Sequence, residues 1–200
     1  MKTITSLKQL DLNKKYTYAD YLMWRLKERV ELIKGKVLEM SPAPNRIHQD
    51  ISGNLFFEMK LLFADNPCNL YATPFDVRLK DSKKPPKKDS DYNTVVQPDI
   101  CVICDKSKLD DKGCAGSPDL VIEILSPGNS NHEMRTKFRI YEENKIPEYW
   151  IVEPANQTIL VYVLQDNKYI GLQPLTTEDK MNSKIFPKMK FPIKNIFKEK

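Results

Sequence analysis

Two short runs, QPDICVIC (97–104) and PDLVIEILS (118–126), are almost unbroken in apolar residues. A strand with one wet face alternates apolar and polar side chains, so a strand that does not alternate is covered on both faces. The chain must therefore build a sheet with layers packed on either side, which points to an α/β (mixed α+β) architecture with a mixed central sheet flanked by helices. One residue breaks the pattern. Glu123 lies inside VIEIL, and burying an unpaired carboxylate costs on the order of several kcal/mol, so it must meet a cation or hydrogen-bond donors.

The remaining elements follow from spacing. YTYADYLMWRL (16–26) reads as a helix, and VELIKGKVLEM (30–40) as a hairpin turning at Lys34-Gly35, where glycine permits positive φ. Between Asn45 and Phe63, Ile47, Ile51, Leu55, Met59, Leu62 and Phe63 recur at helical spacing and predict a long amphipathic helix. NLYATPFDVRLK (69–80) supplies one or two strands, and KDSKKPPKKDSDYN (80–93) a loop. Asp110, Asp111, Gly113 and Gly116 mark a turn-rich link. NHEMRTKFRIYEEN (131–144) is a helix capped by Asn129, Ser130 or Asn131, and EYWIVEP, TILVYVL and KYIGL are three strands. Without repeats or a long linker, one domain over residues 1–200 is expected.

Charge constrains partners only weakly. Lys and Arg exceed Asp and Glu by 32 to 27, and this +5 surplus permits a polyanionic partner without demanding one. No apolar run approaches the roughly 18 residues of a membrane helix, and the first residues form no apolar signal core, which predicts a cytoplasmic protein. Cys101 and Cys104 form a C-x-x-C, yet on a strand residues three apart face opposite ways and cannot share one ion. Cys68, Cys101, Cys104 and Cys114 are expected to be buried thiols in a reducing compartment.

The carboxylates and one lysine are the candidate chemistry. Asp99 opens the first apolar strand, Glu123 sits within the second, and Glu31 lies in the apolar context VELI. Three carboxylates suit a hard cation such as Mg²⁺ or Mn²⁺ better than zinc. Glu133, Lys137 and Tyr141 share a helix face at i, i+4 spacing, where Lys137 can lean toward the acids or merely form a solvent-facing ion pair. Each acid also has a bland explanation: Asp99 as a turn cap, Glu123 as half of a buried ion pair with an arginine.

Taken in order, VELIKG, His48 in the long helix, QPDICVIC, SPDLVIEILSPGNS, K-x-x-x-Y and EYWIVEP resemble the Uma family of restriction endonucleases, within the PD-(D/E)xK nuclease superfamily. The resemblance runs from about Thr17 to about Phe197, and it likens IFPKMKFPIKNIF to the family's closing strand and short helix. It implies a restriction-endonuclease-like fold and a divalent-metal-dependent (Mg²⁺ or Mn²⁺) DNA endonuclease; cutting both strands of a duplex is most simply done by two copies, which makes a homodimer the expectation. Asp99 and Glu123 would bind the metal, with the Ile124 carbonyl as a further ligand, Glu31 would assist, and Lys137 would position or activate the attacking water. The superfamily's lysine normally stands two residues after the second acid. Here that position is Leu125, and Lys137 is the replacement. Glu133 stands where many relatives carry Asp. His48 contacts either substrate phosphate or the carboxylates, or it is structural. The loop lysines Lys83, Lys84, Lys87 and Lys88 either track a phosphate backbone or are simply solvated. Two rival functions stay open: a non-catalytic nucleic-acid- or protein-binding member of the fold, and a phosphodiesterase acting on RNA or on branched or damaged DNA.

Overall fold

A computed structural model describes residues 3–40, 45–80, 86–126 and 131–198, with the side chains of 131–133 set aside. The hairpin forms as expected. Strands β1 (Val30–Ile33) and β2 (Lys36–Glu39) pair antiparallel, and the turn between them places Lys34 at φ 51° and Gly35 at φ 84°. Both values lie in the left-handed region that a type I′ turn requires. In the region expected to be a helix from 16 to 26, only Tyr18–Tyr21 (α1) is α-helical. Ring packing explains the shortfall. Tyr16 and Trp24 meet edge to face with centroids 5.1 Å apart, whereas a continuous helix would separate residues eight apart by about 12 Å.

The long helix α2 (Arg46–Leu62) is capped by Asn45, whose side chain accepts from the His48 N–H. Ile51, Leu55 and Met59 face the core, while Ile47 and Leu62 point outward. NLYATPFDVRLK yields two strands, β3 (Asn69–Ala72) and β4 (Val77–Leu79), and they enter different sheets. The short strand β5 (Thr94–Val96) follows. The apolar runs become β6 (Ile100–Ile103) and β9 (Leu120–Ile124), both wholly buried. The link between them holds a small hairpin, β7 (Leu109–Asp110) and β8 (Gly113–Ala115), that its glycines and aspartates did not announce. At Gly113 (φ 125°) a side chain would strike the Asp76 carbonyl oxygen at 2.2 Å, so only glycine fits. Helix α3 (Asn131–Glu143) leads to β10 (Glu148–Glu153), β11 (Thr158–Gln165) and β12 (Lys168–Gly171).

These strands form two six-stranded mixed sheets, ordered β2-β1-β5-β4-β8-β7 and β12-β11-β10-β9-β6-β3. The expected mixed α+β class holds, with the strands shared between two sheets. On one face of the second sheet Ile100, Val102, Leu120, Ile122 and Ile124 meet α2 and the C-terminal segment. On the other, Cys101, Ile103 and Val121 meet α3 and strand β4. The period-two alternation of β6 and β9 is thus split between two cores. In the closing segment Met189, Phe191, Ile193 and Ile196 pack into the first core. Ile193–Asn195 is a single 3-10 turn there, and the strand anticipated before it is reduced to an isolated bridge, Lys180 with Pro192.

The cysteines require a correction. Cys101 and Cys114 are buried free thiols, but Cys68 and Cys104 form a disulfide. The register pairs Asn69 with Ile103 across β3 and β6, so the next residues outward stand opposite one another at the edge of the pair. Cys101 and Cys104 do project into different cores.

Candidate active site

The chain passes from one sheet to the other through Gln97-Pro98-Asp99, between β5 and β6. Glu31 belongs to the first sheet and Glu123 to the second, and α3 lays Lys137 between them. The Lys137 ammonium sits 3.1 Å from Glu31 Oε1 and 3.0 Å from Glu123 Oε1. One helical turn on, the Tyr141 hydroxyl donates to Glu123 Oε1 at 2.5 Å. Their i, i+4 spacing is what lets both reach one carboxylate. The Gln97 N–H donates to Glu31 Oε1 at 2.7 Å.

Asp99 lies one step beyond the β6–β9 register that pairs Ile100 with Ile122, which brings it opposite Glu123. Its Oδ2 accepts from the Ile124 N–H at 2.7 Å, and His48 Nε2 lies 3.2 Å away. His48 reaches this point from the first turn of α2, with only 5% of its surface exposed. The structure thus brings together Glu31, His48, Asp99, Glu123, Lys137 and Tyr141. Lys87 and Lys88 are exposed, and their backbone N–H groups donate to Asp91. Lys83 and Lys84, and the side chain of Glu133, lie outside the described residues, as do the candidate caps Asn129 and Ser130. Two backbone donors, from Gln97 and Ile124, were hidden from the sequence, because amide groups carry no residue signature.

The electrostatics follow from burial. Loss of water pushes the Glu123 carboxyl up to about 7, the neighbouring Asp99 and Glu31 add to the rise, and Lys137 offsets part of it. Burial alone would lower the Lys137 ammonium, but Glu123 and Glu31 more than reverse it and hold the group charged. For His48, burial again works downward, but the hydrogen bond to Asp99 and the charges of Asp99 and Glu123 together outweigh it and leave the ring above its ordinary value.

Among the described residues no group of three His, Cys, Asp or Glu side chains is arranged to hold a metal ion. A hard cation such as Mg²⁺ asks for less, since it is commonly bound through one or two carboxylates and keeps several waters. The donor set fits that demand. Among the described residues Glu31 Oε2 is buried without a hydrogen-bond partner, and the bonds to Asp99 and Glu123 each fall on one oxygen, Oδ2 and Oε1.

Comparison with known proteins assigns the family at this point. A family model described as "Putative restriction endonuclease", Uma2, matches residues 18–194. The chain belongs to the Uma2 family. The fold agrees: a crystal structure described as "a putative nuclease belonging to DUF820", from Anabaena variabilis, superposes with a TM-score of 0.67 at 20% identity, covering 91% of this chain and 97% of that one. No curated protein is similar to this Uma2 chain at a significant level.

Proposed function

We propose that this Uma2 protein is a divalent-metal-dependent endonuclease that hydrolyses DNA phosphodiester bonds. The observation that carries the reading is the Lys137 ammonium held between Glu31 and Glu123, beside Asp99, where two sheets meet. Asp99 and Glu123 would hold Mg²⁺ or Mn²⁺, with the Ile124 carbonyl as a further candidate ligand and Glu31 in support. When bound, the cation would withdraw charge from the phosphate and lower the cost of attack.

The chain's own groups divide the rest of the work. His48 and the Ile124 N–H fix Asp99 through Oδ2, so its other oxygen would be the one offered to a cation. Tyr141 and Lys137 fix Glu123 in the same way through Oε1. Lys137 is held charged, so it has no lone pair with which to take a proton. Its role is to position the attacking water and to balance the negative charge that grows on the phosphate as the new P–O bond forms and the leaving oxygen departs. Cutting both strands of a duplex is most simply done by two copies.

Purified protein incubated with supercoiled plasmid and Mg²⁺, Mn²⁺ or EDTA tests this. Metal-dependent nicking is expected, abolished by Asp99→Ala and reduced at least ~100-fold by Lys137→Ala, the loss typical of one removed charge-stabilising donor. Absence of both cleavage and metal binding in the wild type would defeat the catalytic reading and leave a binding role.

A further inference from the structure

Next to the carboxylate cluster lies a cleft of about 440 Å³ lined by Tyr21, Trp24, Arg25, Glu28, Arg29 and Gln97, among others. Its volume falls in the roughly 300–1,000 Å³ range of small-ligand sites. It meets the site at Gln97, which lines the cleft and whose N–H bonds Glu31, a residue that projects from the face of β1 opposite Val30. The wall is built and held. The Gln97 amide donates to Asp76 Oδ1 at 2.8 Å and to the Tyr21 hydroxyl at 3.2 Å, and its oxygen accepts from Arg29 at 3.0 Å. The Tyr21 and Trp24 rings stand 5.8 Å apart. Arg25 is fixed by the Leu22 and Trp24 carbonyls.

Within this wall Glu28 Oε2 is buried and has no hydrogen-bond partner among the described residues. A carboxylate oxygen withdrawn from water wants a donor. The half-buried Tyr21 ring, set beside the buried Trp24, offers flat surface, two exposed guanidiniums offer anchorage for phosphate, and one carboxylate oxygen asks for an N–H. We infer that the cleft receives an unpaired nucleobase of the substrate strand, adjacent to the scissile phosphate, and selects bases whose exocyclic amino group donates to Glu28. Cytosine and adenine carry that group and thymine does not. Tyr21 supplies the stacking surface, and Arg25 and Arg29 take the flanking phosphates. A base can enter only when unstacked and unpaired, so the preferred substrate has single-stranded character at the site.

This inference rests on the nuclease reading for its substrate class, and its test is therefore made without cleavage. In EDTA, labelled oligo(dC), oligo(dA) and oligo(dT) of equal length are titrated with protein by fluorescence anisotropy. The dC and dA strands are expected to bind about tenfold more tightly than dT, from one discriminating hydrogen-bonded contact. Glu28→Leu, which removes the acceptor, should erase that preference without lowering the melting temperature. Arg25→Gln and Arg29→Gln should instead weaken all three strands alike and flatten the salt dependence by about one unit each. Tryptophan emission gives a second readout, because Trp150 is fully buried in the core and a change on binding reports Trp24. Equal affinities, a preference that survives Glu28→Leu, or no binding of any strand would each overturn the inference. So would dCMP alone binding as tightly as oligo(dC), which would make the cleft a free-nucleotide site. Plasmid nicking without base preference would sink this inference alone, and base preference without nicking would sink the nuclease reading alone.

Discussion

Arg78 carries its charge on strand β4 with only 2% of its surface exposed. It donates to Asp110 Oδ1 at 2.6 Å, lies 3.8 Å from Asp89, and sits over the Tyr18 and Tyr92 rings. The pair is unequal, because Asp110 is 48% exposed and can be rehydrated when its partner is lost. Asp110→Asn is thus expected to destabilise by about 2 kcal/mol, discounted from the roughly 3–5 of a fully buried pair, and Arg78→Met by less. Urea midpoints decide the order, and a larger loss for Arg78→Met would contradict it. Partial burial pushes the Asp110 carboxyl up, but Arg78 and the Lys112 N–H outweigh it and leave the group below its ordinary value of 3.8. The stabilisation is accordingly complete above about pH 4 and is lost as pH falls further, a decline that Asp110→Asn should flatten. The two free thiols make a second expectation at this scale. Cys101 and Cys114 are 1% and 0% exposed, and burial pushes the Cys114 thiol up to about 12. Both should resist alkylation at pH 8 until the chain is unfolded, and prompt labelling of the folded protein would refute their burial. Glu123 was legible because a charge inside an apolar strand demands a partner. The same signal stands at Arg78 in DVRL, yet its partners come from the two-residue strand β7 and a 3-10 turn at Asp89, both too short for any periodicity to show.

Elements were legible where one period ran long enough to be read. Helices α2 and α3, the first hairpin and the strands β6, β9 and β10–β12 all follow from apolar spacing. Strand β5 and the β7–β8 hairpin are two or three residues long, too short for any period to show, and tertiary packing decides them. The aromatic stretch after Tyr16 was misleading because its rings pack on one another rather than along a helix face. Among the elements, α2 couples stability to the site. Asn45 caps it by accepting from the His48 N–H at 2.9 Å, and the same residue's ring reaches Asp99. Asn45→Ala should cost about 1 kcal/mol and lower the melting temperature by about 2–4 °C. It should also speed amide exchange at His48 and reduce cleavage more than so small a loss of stability would by itself. Full activity beside a lowered melting temperature would show that the cap serves the fold alone.

At the scale of the whole molecule, the C-terminal segment completes the core without contributing a long element. Residues from Met181 to Ile196 fill the face of the second sheet opposite α3, and the segment carries almost no ladder of its own beyond one isolated bridge, Lys180 with Pro192. Its anchor is Glu148. That side chain is wholly buried on β10, where Oε1 accepts from the Trp150 indole at 2.6 Å and Oε2 accepts from the Lys184 and Ile185 N–H groups at 2.9 and 3.1 Å. One carboxylate therefore satisfies three donors from two distant parts of the chain. Glu148→Leu keeps the volume but leaves those donors in the interior without acceptors, each at a cost of about 1–3 kcal/mol when nothing replaces the bond. The loss is expected to fall unevenly. Sheets held by long ladders should persist, while the segment around Lys184, tied by few backbone bonds, should open first. Trypsin provides the measurement, because Lys184, Lys188 and Lys190 all lie in this stretch. The variant should be cut there under conditions in which the wild type resists, and Glu148→Gln, which keeps one accepting oxygen, should fall between the two. Uniform digestion of the variant along its whole length would instead mean that the segment and the sheets unfold as one unit.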